Sequence, residues 1–150
     1  MQTYRLEREM WLPKPLDEVF PFFSRPENLQ KLTPPWLDFR IVEAPEQLAR
    51  GARIKYRLRW HFLPILWTSE ISEWEPPHKF VDRALSGPYA LWNHEHSFES
   101  CKGGTKMRDC VTYALPFGWF GTLAHRFRVR RDIERIFQFR QDQMHHLFPG

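Results

Sequence analysis

The stretch YALWNHEHSFESCKGGTKMRDCVTYAL, residues 89–115, decides the architecture. Two alternating runs, 89–99 and 105–115, flank Lys102, Gly103 and Gly104. Alternation on both sides of a glycine-containing turn predicts an antiparallel hairpin. Trp92, His94, His96 and Phe98 share one face of its first strand, because side chains two apart point the same way. Met107, Asp109, Val111 and Tyr113 share one face of the second. Pro116 and Gly118 end this pattern, and the period then changes. Leu123, Phe127, Ile133, Phe137, Met144 and Leu147 recur about every 3.6 residues. They predict one long helix over 120–147, closed by Pro149 and Gly150, with Leu123, Phe127 and Phe137 toward the sheet and Arg128, Arg131 and Arg135 toward solvent.

Upstream of the hairpin the chain reads as more strands and two short helices. In residues 3–12, Tyr4, Leu6, Met10 and Leu12 alternate with Thr3, Arg5, Glu7 and Glu9. Arg8 falls on the apolar parity and Trp11 on the polar one. Pro15 suits a first helical turn, and Leu16, Val19, Phe20 and Phe23 give a helical stripe. Ser24 is placed to cap a second short helix with Leu29 and Leu32 inward. Leu37, Phe39 and Ile41 alternate, as do Ile54, Tyr56, Leu58 and Trp60. Leu63 and Pro64 mark a turn, and further strands are predicted over 67–74 and 80–85. The order is strand, two short helices, six strands, long helix. It predicts an α+β class with an antiparallel sheet covered on one face by the last helix, and no linker divides residues 1–150. A strongly curved sheet leaves a space under such a helix, lined by inward aromatic residues.

Composition narrows the class. The 150 residues include 7 Trp, 13 Phe and 4 Tyr, with a charged fraction of 27% and net charge +4. That is the make-up of a packed chain and not of a disordered one. There is no apolar run of the ~20 residues that span a bilayer, and residues 1–7 show no signal-peptide core. Two cysteines make no disulfide scaffold, and a cytoplasmic location is expected. Counting across the turn, Cys101 faces about Thr105 and Cys110 about His96, so both are expected as free thiols. Phosphate-loop, dinucleotide, nucleophile-elbow and zinc-protease motifs are absent. Six arginines crowd residues 126–140: Arg126, Arg128, Arg130, Arg131, Arg135 and Arg140. They read as a solvated helix face or as a patch for an anionic partner.

Several strings resemble the START-like or SRPBCC superfamily, which includes polyketide cyclases and dehydrases, lipid-transfer domains and the birch-pollen-allergen type. They are residues 12–20 (LPKPLDEVF), then Gly87, Pro88, Tyr89, Trp92, His94, His96 and Phe98, then Gly103, Gly104, Thr105, Asp109, Val111, Tyr113 and Pro116. The resemblance covers essentially the whole chain. It implies a helix-grip fold, a curved seven-stranded antiparallel sheet around a long C-terminal helix, with an apolar ligand cavity and no cofactor.

Binding of a small hydrophobic ligand, lipid-, sterol- or polyketide-like, is the expected function. Expected ligand contacts are Arg8, Tyr56, Trp60, Trp67, Trp92, His94, His96, Phe98, Asp109, Tyr113 and Phe127. Two other readings stand. One is a cyclase, dehydratase or hydrolase using His94 or His96 with Asp109. The other is an interaction protein using the arginine-rich helix; nucleic acid is not expected as a partner. The chain is expected as a monomer or homodimer. No Cys or carboxylate stands at ligand spacing from His94 and His96, so no metal is expected. Finally, Arg8, Asp109 and His96 each sit on the apolar parity of strands that the resemblance places side by side. They are expected to form a row, with Asp109 accepting hydrogen bonds from Arg8 and from an imidazole.

Overall fold

The alternating stretches form seven strands: β1 (Tyr4–Leu12), β2 (Arg40–Glu43), β3 (Arg53–Trp60), β4 (Leu63–Glu75), β5 (Lys79–Ser86), β6 (Leu91–Cys101) and β7 (Gly104–Ala114). The computed structural model describes residues 2–150, except for the side chains of Trp119, Arg126 and Phe127. All strands pair antiparallel in one sheet, in the order β1-β7-β6-β5-β4-β3-β2. In β4 the register shifts between Ile71 and Glu73. Such a bulge bends a strand and increases its twist, and here it returns Trp74 to the face that packs on Phe20 and Phe80.

Two tight turns set the register of the long hairpins. His61 and Phe62, and likewise Lys102 and Gly103, have positive φ. Two left-handed residues in a two-residue loop match the twist of the flanking strands. Leu63 and Pro64, expected as a turn, are therefore paired with Trp60 and Arg59 inside β4. By the same geometry Cys110 faces Glu95, one residue from the expected partner, and both cysteines are free. Gly104 admits no side chain. A Cβ there would lie 2.2 Å from the Leu12 carbonyl oxygen and 2.7 Å from the Trp11 ring. Trp11 Nε1 donates to the Cys101 carbonyl at 2.7 Å, which fastens the β6–β7 turn to β1.

Between β1 and β2 run α1 (Leu16–Val19), a 3₁₀ turn (Phe20–Ser24), α2 (Asn28–Lys31) and a second 3₁₀ turn (Pro35–Leu37). Ser24 does not cap α2: its hydroxyl donates back to the Pro21 carbonyl. Leu37 and Phe39 are buried as expected but precede the strand, because Asp38 is left-handed and β2 begins only at Arg40. Phe20 and Phe23 pack against Phe80 and Phe98 as the centre of the larger apolar cluster.

The C-terminal helix is not uniform. It comprises α3 (Trp119–Ala124), a π-helical turn (His125–Val129) and α4 (Arg130–Leu147). A π turn holds more residues than an α turn and so rotates the helix on its N-terminal side relative to the helix on its C-terminal side. Leu123, expected toward the sheet, is 42% exposed for this reason. Ile133, Phe137, Arg140 and Met144 form the buried stripe of α4. Arg128, Arg131 and Arg135 face solvent. Arg140, one of the six arginines expected on a solvated face, is buried, because it stands three residues after Phe137 and four before Met144. Among the described residues no helix is long and apolar enough to cross a membrane.

Candidate ligand cavity

Sheet and C-terminal helix enclose a cavity of about 650 Å³. Its aromatic wall comes from the inward parity of three strands and one loop. Tyr56 stacks on Trp67 at 5.8 Å between ring centroids, Trp92 meets Trp67 edge-on at 5.3 Å, and Tyr89 packs on both tryptophans. Ile133, Ile136 and Phe137 close the helix side. Burial raises the Tyr56 and Tyr89 phenols well above their ordinary range, so both are neutral. Near the β3–β4 turn, Trp60 Nε1 donates to Asp132 Oδ2 at 2.7 Å, and His61 Nε2 lies 3.1 Å from the same oxygen. This pair of contacts ties the turn to the first turn of α4.

One region of the wall is polar. Strand pairing sets Asp82 opposite His94, and His94 and His96 opposite Val111 and Asp109. The His94 and His96 rings stack at 3.6 Å, and Phe80 stacks on the other face of His96 at 3.9 Å. His94 Nε2 donates to Asp109 Oδ1 at 2.8 Å. His96 Nε2 donates to Asp82 Oδ2 at 2.7 Å, and its Nδ1 accepts from an Arg140 terminal nitrogen at 3.1 Å. Arg140 also donates to both Asp109 oxygens at 3.3 Å and lies over the Phe23 ring.

The electrostatics follow from this wiring. Burial alone would raise the Asp109 carboxyl, but the Arg140 charge and the His94 hydrogen bond outweigh it and hold the group far below the usual carboxylate range. Burial also opposes ionisation of Asp82, and the His96 hydrogen bond with the nearby positive charges again lowers its pKa. Burial, followed by His94, pushes the His96 imidazole down to about 4. His96 is thus neutral near pH 7.

Acid should therefore weaken the fold earlier than carboxylates alone would. The unfolded chain binds the His96 proton near pH 6.5, the native state only near 4. Stability contributed by the neutral ring is present above 6.5 and lost as pH falls from there to about 4, on the order of 3 kcal/mol. Urea melts between pH 7 and 4 should show a shallower decline for His96→Gln than for the parent. Equal slopes would remove His96 as the cause.

Of the expected contacts, Tyr56, Trp60, Trp67, Trp92, His94 and His96 line the cavity. Four do not. Phe98 is buried among Phe20, Phe23 and Phe80. The Tyr113 hydroxyl lies 2.7 Å from His125 Nε2, beside a smaller cavity with Tyr4. Asp109 stands behind the histidines. Arg8 reaches α4, where it donates to Gln138 Oε1 at 2.9 Å. The Phe127 side chain, like that of Trp119, falls outside the described residues. The expected row is right in its backbone register, since Arg8 and His96 do flank Asp109, and an imidazole, that of His94, does donate to the carboxylate. Its guanidinium partner is Arg140 and not Arg8, because the helix passes over Asp109 and the long Arg8 side chain turns to Gln138.

Asp82 and Arg140 were missed by reading the sequence. The signal for Arg140 was its place in the apolar stripe of α4. Asp82 carried a fainter one, an acid two residues from the buried Phe80. Pairing of β5 with β6 supplies the third potential ligand that sequence spacing did not: Asp82, His94 and His96 present donor atoms within 4.8 Å of one another.

Comparison with known proteins agrees with this geometry. A search of curated sequences finds no match. Among solved structures, Ara h 8.0201 superposes with TM-score 0.70 at 15% identity, covering 98% of each chain. Major latex-like protein 151 from Panax ginseng gives 0.73 at 8% identity over 100% of each. Protein CV1439 from Chromobacterium violaceum gives 0.73 at 15% identity, over 99% of this chain and 98% of that one. At these identities the likeness is one of fold. The family model described as polyketide cyclase / dehydrase and lipid transport matches residues 12–139, and the chain belongs to that family.

Proposed function

We propose that residues 1–150 act as one binding unit for a small hydrophobic molecule held between the sheet and α4. The cavity carries this reading. Its volume, about 650 Å³, lies within the range that encloses most of a drug-sized ligand. Its aromatic wall of Tyr56, Trp67 and Trp92 favours flat or polycyclic rings of the polyketide or sterol kind over a single flexible chain, since ring faces stack. A hydroxyl or carbonyl on such a ligand would meet Asp82, His94 and His96, the polar region of a mostly apolar wall. Burial of apolar surface supplies affinity, reduced by the cost of association.

A neutral apolar dye, N-phenylnaphthylamine, tests this. The folded protein should bind it saturably at one site. Trp92→Ala and Trp60→Ala should weaken binding by roughly fivefold or more, the equivalent of about 1 kcal/mol. Trp11→Ala should leave it unchanged, because Trp11 lies on the outer face, 43% exposed. Absence of saturable binding would overturn the reading.

A further inference from the structure

We infer that Asp82, His94 and His96 form a three-ligand site for a divalent transition cation of the zinc type, open toward the cavity. The inference stands on the donor set and not on the identity of any organic ligand. Asp82 Oδ2 lies 2.7 Å from His96 Nε2 and 3.8 Å from His94 Nδ1. Metal–ligand bonds of ~2.0–2.2 Å in a tetrahedral centre set neighbouring ligand atoms about 3.3–3.5 Å apart. The two distances bracket that separation, and the third pair lies within 4.8 Å. Because the two imidazoles are stacked at 25°, the His96 ring must also turn so that both lone pairs point at one cation.

The hydrogen bonds decide which atoms are free to ligate. His94 Nε2 carries its proton, donated to Asp109 Oδ1 at 2.8 Å. In the neutral ring, Nδ1 then presents its lone pair toward the Asp82 carboxylate, a second acceptor 3.8 Å away. A cation resolves that opposition. The Asp109–His94 bond is also the arrangement that fixes ligand histidines in metal centres: a carboxylate on the far nitrogen holds the tautomer and the ring angle. Arg140 bonds both oxygens of Asp109 and offsets its charge, leaving the negative charge of Asp82 to face the cation.

His96 needs one further adjustment. Its Nε2 proton now goes to Asp82. Metal binding at Nε2 requires that proton to reside on Nδ1, where Asp109 Oδ1 stands 3.4 Å away as acceptor. Arg140, which donates to Nδ1 in the present tautomer, must give up that bond and move off the protonated nitrogen, keeping its bonds to Asp109. The ring changes tautomer and no proton is released. All three ligands line the cavity, and Asp82 keeps 21% of its side chain accessible there. Three protein ligands with the next position open suit a centre that takes an oxygen of a bound molecule or a water. Two imidazoles and one carboxylate favour zinc-like ions over calcium or magnesium, which prefer oxygen alone.

The test uses tag-free, chelator-stripped protein. Zn²⁺ calorimetry should give one site per chain with Kd of about 10 µM or tighter. Co²⁺ should produce the visible absorption of a four-coordinate centre. Asp82→Asn and His94→Ala should each weaken Zn²⁺ binding by about a hundredfold. Asp109→Asn, acting through His94, should weaken it about tenfold to a hundredfold. His146→Ala, near the end of α4, should bind as the parent does. If a ligand variant fails to fold, the parent titration still decides. No stoichiometric uptake by folded parent protein overturns the inference, as does undiminished uptake by a folded Asp82→Asn variant. Dye binding is measured separately, so either result leaves the reading of the cavity to its own test.

Discussion

Asp109→Asn should cost about 3–5 kcal/mol in urea melts, among the largest effects of any single substitution in this chain. Asp109 is 3% exposed and accepts from His94 and from two nitrogens, Nε and a terminal one, of the Arg140 guanidinium. An amide of the same shape removes the charge and turns one acceptor into a donor aimed at donors. Arg140, 8% exposed, is then a buried cation that has lost its directly bonded counter-charge, with Asp82 left near it. The cost measures that orphaned cation more than the net worth of the pair. Joint replacement, Asp109→Leu with Arg140→Met, should accordingly recover much of the loss. A double-mutant cycle separates the two arginines: Arg140 should couple to Asp109 by more than about 1 kcal/mol, Arg8 by a few tenths. A reversed ranking would refute this wiring.

Phe98→Ala should cost a similar ~3–5 kcal/mol. Phe98 is 3% exposed on β6, edge-on to Phe20 at 5.2 Å, tilted against Phe23 at 5.2 Å and stacked with Phe80 at 6.1 Å. Three rings from two elements converge on it, so a truncated side chain leaves a hole that no single neighbour can fill. The turns after β1 lose their main anchor to the sheet. Thermal and urea unfolding measure this directly. A loss below about 1 kcal/mol would mean that the 20–24 turn collapses inward and reseals the core.

Much of the architecture was legible because it rests on alternation that one strand carries by itself. Ile54, Tyr56, Leu58 and Trp60 face inward whatever their neighbours, and so do Trp92, His94, His96 and Phe98. The polar cluster was legible only in part. Its histidines and Asp109 stand on clean strands, but Asp82 comes after a pair, Phe80 and Val81, buried on both faces. Period two is silent there, and only strand pairing fixes where Asp82 points. Arg140 depends on helix phase. An arginine in a basic segment reads as solvated until the stripe of Ile133, Phe137 and Met144 is seen to pass through it. The π turn defeated Leu123 for a complementary reason: no residue type marks the place where the period lengthens.

The sheet order also governs when the molecule can finish folding. Among the described residues β1 is an edge strand paired with β7 alone, and Tyr4 pairs with Tyr113. A ribosome adding ~5–20 residues per second needs roughly 5–20 s to travel the hundred or so residues between them. Through that interval the first strand waits with Leu6, Met10 and Leu12 unpaired. Closing so long a loop is slow, and an idle apolar strand invites other chains. Arg5, Glu7 and Glu9, exposed along its outer face in the native sheet, put charge of both signs at every second position of the waiting segment. Charge at those positions discourages pairing with other chains during synthesis and afterwards too, since one side of β1 stays unpaired in the finished sheet.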